Sequence, residues 1–256
     1  MSHPKLTAQL YTIREYTQTL EDFRTSMEKV RDIGYTAVQV SAIGPIPHED
    51  VKAIVDDMGL TICITHIGFD RLQNDIDGVI EQHKLWECPN VAVGSMPREY
   101  RAGGEDAFKR FAREATEIGK ALAGADLTFS YHNHSFEFVR FGDRTGLDVI
   151  YEESDPRYLQ AEIDTYWVQH GGGDPIFWIR KMKDRMPVIH FKDMVIYEGE
   201  QTMAEIGEGN LNWPGIIEAC EDANVEWYAI EQDRCMRNPF ESLKISYDNL
   251  RAMGVE

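Results

Sequence analysis

The amino-acid sequence predicts a single (β/α)8 barrel over residues 1–256. Eight short segments rich in β-branched and aromatic residues alternate with longer segments whose apolar residues recur at helical spacing. No linker or low-complexity tract divides the chain, and a length of 256 residues suits one such barrel. The competing open, doubly wound sheet usually carries a glycine-rich loop after its first strand, whereas residues 12–17 contain no glycine. We therefore expect a closed barrel.

The expected elements alternate along the whole chain. The clearest amphipathic stripe lies in the fourth helix, from Phe108 to Leu122, and Pro175 and Pro239 lie at the expected first positions of two others. Residues 193–212 form the longest stretch without a predicted element, and loops of that length often cover binding sites. The expected strands are residues 6–12, 36–42, 60–67, 90–95, 126–132, 158–164, 187–192 and 226–232. The expected helices are residues 19–33, 48–58, 70–87, 104–124, 145–154, 174–186, 213–223 and 239–252.

Composition excludes several classes of partner. The formal net charge of −18 opposes nucleic acid and anionic membranes, because phosphate backbones are captured by clustered Lys and Arg. No segment approaches the roughly 20 apolar residues that cross a bilayer. The four cysteines show no CxxC spacing, and the N-terminal residues lack a secretory pattern, so we expect a cytoplasmic protein.

Polar side chains end four consecutive predicted strands. His132 and His134 end the fifth strand, and Asp164, His190 and Glu231 end the next three. Because strand C-terminal ends carry the active site in a (β/α)8 barrel, these side chains are expected to meet there. Imidazole and carboxylate donors without thiolates suit Mn²⁺, Mg²⁺, Co²⁺ or catalytic Zn²⁺ rather than a structural zinc.

The whole chain resembles the xylose isomerase-like family of sugar (phosphate) isomerases and epimerases, which includes ketose 3-epimerases and inosose dehydratases. The family typically holds one divalent metal with a Glu, an Asp, a His and a second Glu from strands five to eight, and Asp164, His190 and Glu231 match the last three. The segments that carry the resemblance are QLYTIRE at 9–15, THIG at 65–68, YHNHSFEF at 131–138, DTYW at 164–167, HFKD at 190–193, GEGNLNW at 207–213 and EQD at 231–233.

The fifth-strand ligand departs from the family pattern. His132 stands where the epimerases have a glutamate, and Glu137 follows five residues later. The expected metal ligands are therefore Glu137, Asp164, His190 and Glu231, with His132 as the alternative to Glu137. The expected cofactor is one divalent ion, with Mn²⁺ placed before Mg²⁺, Co²⁺ and Zn²⁺.

The resemblance implies an enzyme that removes a proton next to a carbonyl and proceeds through an enediolate. Glu137 and Glu231 are the expected acid and base, and Lys192 is expected to neutralise developing negative charge. The alternatives are a lyase or dehydratase acting on a keto-inositol or 3-keto-sugar, and a barrel that binds sugar without converting it. The expected partner is a small carbohydrate, and the family implies a dimer or tetramer. The expected substrate-binding residues are His66, His132, His134, Tyr11, Arg14 and Trp167.

Overall fold

The structure is a computed structural model that describes residues 5–255, and it confirms the predicted (β/α)8 barrel. Eight parallel strands form one sheet, and each lies within or overlaps a segment predicted as a strand. The strands are β1 (Lys5–Gln9), β2 (Ala37–Val40), β3 (Thr61–His66), β4 (Asn90–Val93), β5 (Thr128–His132), β6 (Gln160–Glu162), β7 (Val188–Phe191) and β8 (Trp227–Ile230).

Neighbouring strands in the sequence are neighbours in the sheet, and the first strand also pairs with the last. β1 pairs with β2 on one side and with β8 on the other, where Lys5 lies opposite Trp227. β6 and β7 are joined only by a single parallel bridge within residues 5–255, between Asp164 and His190, and this bridge closes the barrel. The barrel is thus completed at two residues that the sequence singled out as metal ligands.

Helices pack around the barrel. In the longest of them, Phe108, Phe111 and Leu122 face the strands and are buried, as the amphipathic stripe predicted. The α-helices are Leu20–Ile33, His48–Asp57, Phe69–Asn74, Ile76–Leu85, Arg98–Arg101, Gly104–Ala123, Gly146–Glu153, Thr165–His170, Pro175–Lys181, Trp213–Asp222 and Pro239–Ala252, and the 3₁₀ helices are Leu10–Tyr16 and Phe136–Phe138. No helix in the described part of the chain is long and apolar enough to cross a membrane.

Two segments differ from the sequence-based expectation. The helix expected over residues 70–87 is interrupted at Asp75, whose φ of −142° and ψ of 46° are not helical. The segment 193–212 was expected to be irregular, but it contains an antiparallel hairpin of Asp193–Tyr197 and Glu200–Ala204. A second, shorter hairpin joins Arg140–Phe141 to Arg144–Thr145.

Buried apolar side chains of the strands occupy one layer of the barrel interior, and polar groups occupy the layer nearer the C-terminal ends of the strands. A buried cluster separate from the main core consists of strand residues only: Ala37, Cys63, Ile64, Ala92, Val188, Trp227 and Ala229. Because side chains two residues apart share one face of a strand, Gln39, His190 and Glu231 lie one layer above Ala37, Val188 and Ala229. The barrel therefore presents buried polar groups toward the C-terminal ends of its strands, where such folds place their chemistry.

Candidate metal centre

Four of the residues at these strand ends meet in one buried group. His132, Asp164, His190 and Glu231 each offer a nitrogen or oxygen that lies within 4.8 Å of the others. Nε2 of His132 lies 3.1 Å from Oδ2 of Asp164, and Nδ1 of His190 lies 2.7 Å from Oε2 of Glu231. Two imidazoles and two carboxylates in this arrangement fit a divalent transition-metal ion.

The imidazole of His132 is oriented by the end of β4. Its Nδ1 lies 3.0 Å from the backbone oxygen of Gly94. A carbonyl oxygen only accepts hydrogen bonds, so Nδ1 carries the hydrogen and Nε2 is left with a lone pair toward Asp164. Gly94 also leaves room for the ring of His66, because a Cβ at position 94 would lie 2.8 Å from that ring.

The imidazole of His190 is oriented in the same way by two side chains from other strands. Its Nε2 lies 2.8 Å from Oε1 of Gln39 and 3.1 Å from Oε1 of Glu162. Both oxygens accept, so Nε2 carries the hydrogen and Nδ1 is directed toward Asp164 and Glu231. Each histidine of the group thus has one nitrogen held by the protein and the other directed at the carboxylates, as is usual for metal-binding histidines.

Both carboxylate oxygens of Glu162 are engaged by side chains around the group of four. The side-chain amide of Gln39 donates to its Oε1 at 2.8 Å, and His66 Nε2 lies 2.7 Å from its Oε2. Glu162 is fully buried. With both oxygens engaged, it acts on the group of four through His190.

Lys192 lies at the centre of the carboxylates. Its Nζ donates to Asp164 Oδ2 at 3.1 Å, to Glu231 Oε2 at 2.8 Å and to Asp233 Oδ1 at 2.9 Å, and the side chain is 1% exposed. Burial opposes the charged form of Lys192, but the three carboxylates outweigh it and hold its pKa well above the usual value. The ammonium group therefore offsets part of the negative charge beside the proposed ion.

The charges of Glu231 and His190 are determined by the ionisable groups that surround them. Burial alone would raise the pKa of Glu231, but Lys192 and His190 keep it well below the usual value, so this carboxylate is ionised. Burial alone would lower the pKa of His190, but Glu162 and Glu231 raise it to about 10. In the absence of a metal, a proton on Nδ1 of His190 therefore occupies the place where the ligand lone pair would be.

Glu137, the preferred fifth-strand ligand on sequence grounds, does not join the group. Its carboxylate accepts a hydrogen bond from the hydroxyl of Tyr131 at 2.5 Å and from the backbone N–H of His134 at 3.0 Å. Tyr131 points outward and packs against Phe111 of the surrounding helix layer, at a centroid distance of 5.1 Å. Glu137 is thus held on the outer side of β5, while His132 lies on the inner side. We therefore propose His132 as the fifth-strand ligand.

The other expected site residues line one of two cavities, except for Trp167. A cavity of about 390 Å³ opens beside the group of four, and its walls include Tyr11, His66, His132, His134, Lys192 and Glu231. Trp167 lies behind His134, with ring centroids 5.3 Å apart, and its indole N–H is buried without a partner in the described residues. Arg14 lines a neighbouring cavity instead.

The expected segment GEGNLNW has a supporting role. The carboxylate of Asp193 accepts hydrogen bonds from the backbone N–H groups of Gly207, Gly209 and Leu211 and from the indole of Trp213, at 2.6–3.2 Å. These bonds fix the loop over residues 207–213 to Asp193, which is the residue after Lys192.

Sequence reasoning assigned no role to Gln39, Glu162 or Asp233. Gln39 and Asp233 lie at or next to the ends of predicted strands, where the site was expected, whereas Glu162 lies two residues before Asp164, inside the predicted strand 158–164. Two-residue periodicity along that strand was the signal that could have identified Glu162.

The comparison with known families agrees with this fold. The sequence model of the xylose isomerase-like TIM barrel family matches residues 27–253. The chain belongs to this family. Among curated proteins, this xylose isomerase-like barrel is similar to the inosose dehydratases of Clostridium tetani, at 23% identity over 155 residues, and of Mesomycoplasma hyopneumoniae, at 26% identity over 165 residues. The matches cover 54% and 57% of this chain and 51% and 54% of those proteins, so the chain spans about half the length of these relatives.

Solved structures share the fold of this xylose isomerase-like barrel over its whole length. A sugar phosphate isomerase/epimerase from Parabacteroides distasonis aligns with a TM-score of 0.81 at 23% identity, covering 100% of this chain and 96% of that one. L-Ribulose 3-epimerase aligns with a TM-score of 0.73 at 14% identity, covering 98% of this chain and 94% of the epimerase. At these identities the likeness establishes the common architecture.

Proposed function

We propose that the protein is a divalent-metal-dependent isomerase or epimerase of a small carbohydrate. The observation that carries the proposal is the buried group of His132, Asp164, His190 and Glu231, which lies beside a cavity of about 390 Å³ at the strand ends. The two histidines are held with one nitrogen each directed toward the carboxylates, which supports ion binding by the group as a unit. Mn²⁺ is the first ion to test, followed by Mg²⁺, Co²⁺ and Zn²⁺.

A divalent ion bound there would supply Lewis acidity, which polarises a substrate carbonyl and acidifies the neighbouring C–H bond. Glu231 is the proposed base. Its Oε2 is engaged by His190 and Lys192, whereas its Oε1 forms no hydrogen bond within residues 5–255. Since Glu231 is ionised and lines the cavity, Oε1 is available to accept the proton.

Lys192 is the proposed electrostatic stabiliser. As the C–H electron pair becomes a C=C bond, the carbonyl electron pair moves onto oxygen and an enediolate forms. The ammonium group of Lys192, which stays protonated, offsets this charge. Return of the proton to the adjacent carbon, with transfer of the hydroxyl proton to the former carbonyl oxygen, completes an isomerisation. Return to the other face of the same carbon completes an epimerisation and needs a second donor, for which Asp233, whose pKa burial raises to about 6, lines the cavity.

A dehydratase is the second candidate, and the similarity to inosose dehydratases favours it. The first step is the same proton removal, after which a hydroxyl group on the next carbon leaves as water. The two reactions therefore need the same base and the same stabiliser, and they differ in the substrate's leaving group.

One experiment separates the candidates. The Mn²⁺-loaded protein is incubated with ketoses and with inososes in deuterated water, and the products are followed by NMR and mass spectrometry. Deuterium incorporation with all oxygens retained supports the isomerase or epimerase, and loss of water supports the dehydratase. Binding of a sugar with neither exchange nor water loss would instead indicate a barrel that does not convert its ligand.

A further inference from the structure

A second cavity adjoins the first and carries positive charge in a strongly acidic protein. It measures about 450 Å³ and lies between the segments that follow β1 and β8, at the same end of the barrel as the proposed ion site. Arg14, Arg234 and Arg237 all line it, although the chain has 26 basic and 44 acidic residues. Anions in (β/α)8 barrels are frequently bound by loops that follow the last strands.

Two of the three arginines have no acidic partner. Arg14 donates to the backbone oxygens of Tyr11 and Asp233, at 2.7 Å and 3.1 Å, and Arg234 forms neither an ion pair nor a hydrogen bond within the described chain. Arg237 is paired with the buried Glu205 at 3.2 Å. The exposed Glu15 also lines the cavity, but no arginine of the described chain pairs with it. Within residues 5–255 the guanidinium of Arg234 is therefore free for an incoming ligand, and that of Arg14 keeps the N–H donors that its two backbone bonds do not use.

The two cavities lie side by side and have one lining residue in common. Asp233 lines both, and its carboxylate is turned to Lys192 while its backbone oxygen accepts from Arg14. Tyr11 lines the first cavity, and the guanidinium of Arg14 lies 4.2 Å from the centre of its ring. The arginine-lined cavity therefore adjoins the cavity of the ion site at Asp233.

We propose that the arginine-lined cavity binds an anionic group of the substrate, either a phosphate or a carboxylate. Guanidinium groups match both anions, because their planar N–H donors bond two oxygens at once. The inference rests on the proposed function for the part of the substrate that reacts, but anion binding itself needs no turnover. This proposal restricts the substrate class to sugars that carry a negatively charged group away from the reacting carbons.

The test uses inorganic phosphate and gluconate as separate probes. Each is titrated into the purified full-length protein at constant ionic strength, with binding measured by calorimetry. We expect saturable binding of at least one probe, weakened tenfold or more in Arg234→Gln. This variant is expected to fold, since Arg234 is exposed and unpaired in residues 5–255. Phosphate alone indicates a phosphate ester, and gluconate alone indicates a sugar acid.

The matched control is Arg113→Gln, which removes the same charge from an exposed position on helix Gly104–Ala123 and should bind the probes as the wild type does. Equal probe affinity in Arg234→Gln and the wild type would place the anion elsewhere, for instance at the ion site, and overturn the proposal. Absence of binding by both probes would overturn it too. Conversion of uncharged sugars without probe binding removes only the anion site, whereas probe binding without any conversion removes only the proposed function.

Discussion

Asp164 and His190 form the single parallel bridge between β6 and β7, and their side chains are also two members of the proposed ion-binding group. Closure of the barrel and assembly of the site therefore depend on the same pair of residues. An ion that binds both side chains would connect the two strands where the sheet has least backbone pairing.

Ion binding should therefore stabilise the fold. Removal of metal with a chelator is expected to lower Tm, and Mn²⁺ at a thousandfold excess over its Kd should add about 4 kcal/mol to the free energy of unfolding. Calorimetry with and without the ion measures the effect. In Asp164→Asn the ion-dependent rise in Tm should disappear, while the metal-free Tm stays close to that of the metal-free wild type. An equal rise in both proteins would show that the ion binds outside this group.

The choice between His132 and Glu137 can be decided by metal content. His132→Gln removes an imidazole that faces Asp164 and should lose most of the bound ion. Glu137→Gln changes a carboxylate on the outer side of β5 and should retain it. The measurement is elemental analysis of both purified variants after loading with Mn²⁺. Normal metal in His132→Gln together with loss in Glu137→Gln would restore Glu137 as the ligand.

Glu162 should affect metal affinity without touching the ion. In Glu162→Gln, one acceptor for the hydrogen on Nε2 of His190 is weakened and the bond to His66 is altered. Loss of such supporting bonds typically weakens metal binding 10–100-fold, and we expect that range in a calorimetric titration. Ser130→Ala is the control, because the hydroxyl of Ser130 is buried and forms no hydrogen bond in the described structure. The same affinity in both variants would deny Glu162 this role.

Lys192→Met should fold when metal is present and lose activity. The substitution keeps the length of the side chain and removes the charge that faces Asp164, Glu231 and Asp233. We expect kcat/KM to fall by two or more orders of magnitude, about 2.7–4 kcal/mol of lost transition-state stabilisation. A variant that melts far earlier yet keeps near-normal kcat/KM would show that Lys192 serves the fold rather than the reaction.

Glu137 should make stability depend on pH. Burial raises its pKa to about 7 from 4.5, although Tyr131 and the backbone of His134 oppose the shift. The folded protein therefore favours the neutral carboxyl, so the stability from this group is complete below about pH 4.5 and is lost as the pH rises through 7. Glutamine imitates the neutral form.

The Tm of Glu137→Gln relative to the wild type should accordingly rise between pH 5 and pH 8, by an amount equivalent to at most ~3 kcal/mol. Melting curves of metal-free protein at both pH values provide the measurement. Glu28→Gln, on the exposed side of helix Leu20–Ile33, controls for the loss of one negative charge. A relative Tm for Glu137→Gln that is flat or falling over this range would contradict the expected ionisation.

The sequence was sufficient to predict the barrel and three of the four proposed ligands. Short strands with β-branched residues separated by amphipathic helices leave few alternative folds, and polar residues at the ends of parallel strands must converge. The fourth ligand depended on which side of β5 each side chain occupies. Strand alternation places His132 inside and Tyr131 outside, and the hydroxyl of Tyr131 then holds Glu137 outside as well.

Other features could not be read from residue types alone. Glu162 lies inside the strand predicted over residues 158–164 rather than at its end, and a buried carboxylate there is tolerated only because Gln39, His66 and His190 contact it from three other strands. The hairpin within 193–212 was missed because its outer strand, Glu200–Ala204, begins with polar residues that resemble a loop.

The pairing of β1 with β8 also has a consequence for when the proposed ion could bind during synthesis. Glu231 follows the last strand, and that strand is held in the sheet by pairing with β1 and β7. A nascent chain whose residues 227–231 have not left the ribosome lacks one proposed ligand and the strand that pairs with β1 and β7. Binding of the proposed ion by the complete group should therefore follow translation of this strand.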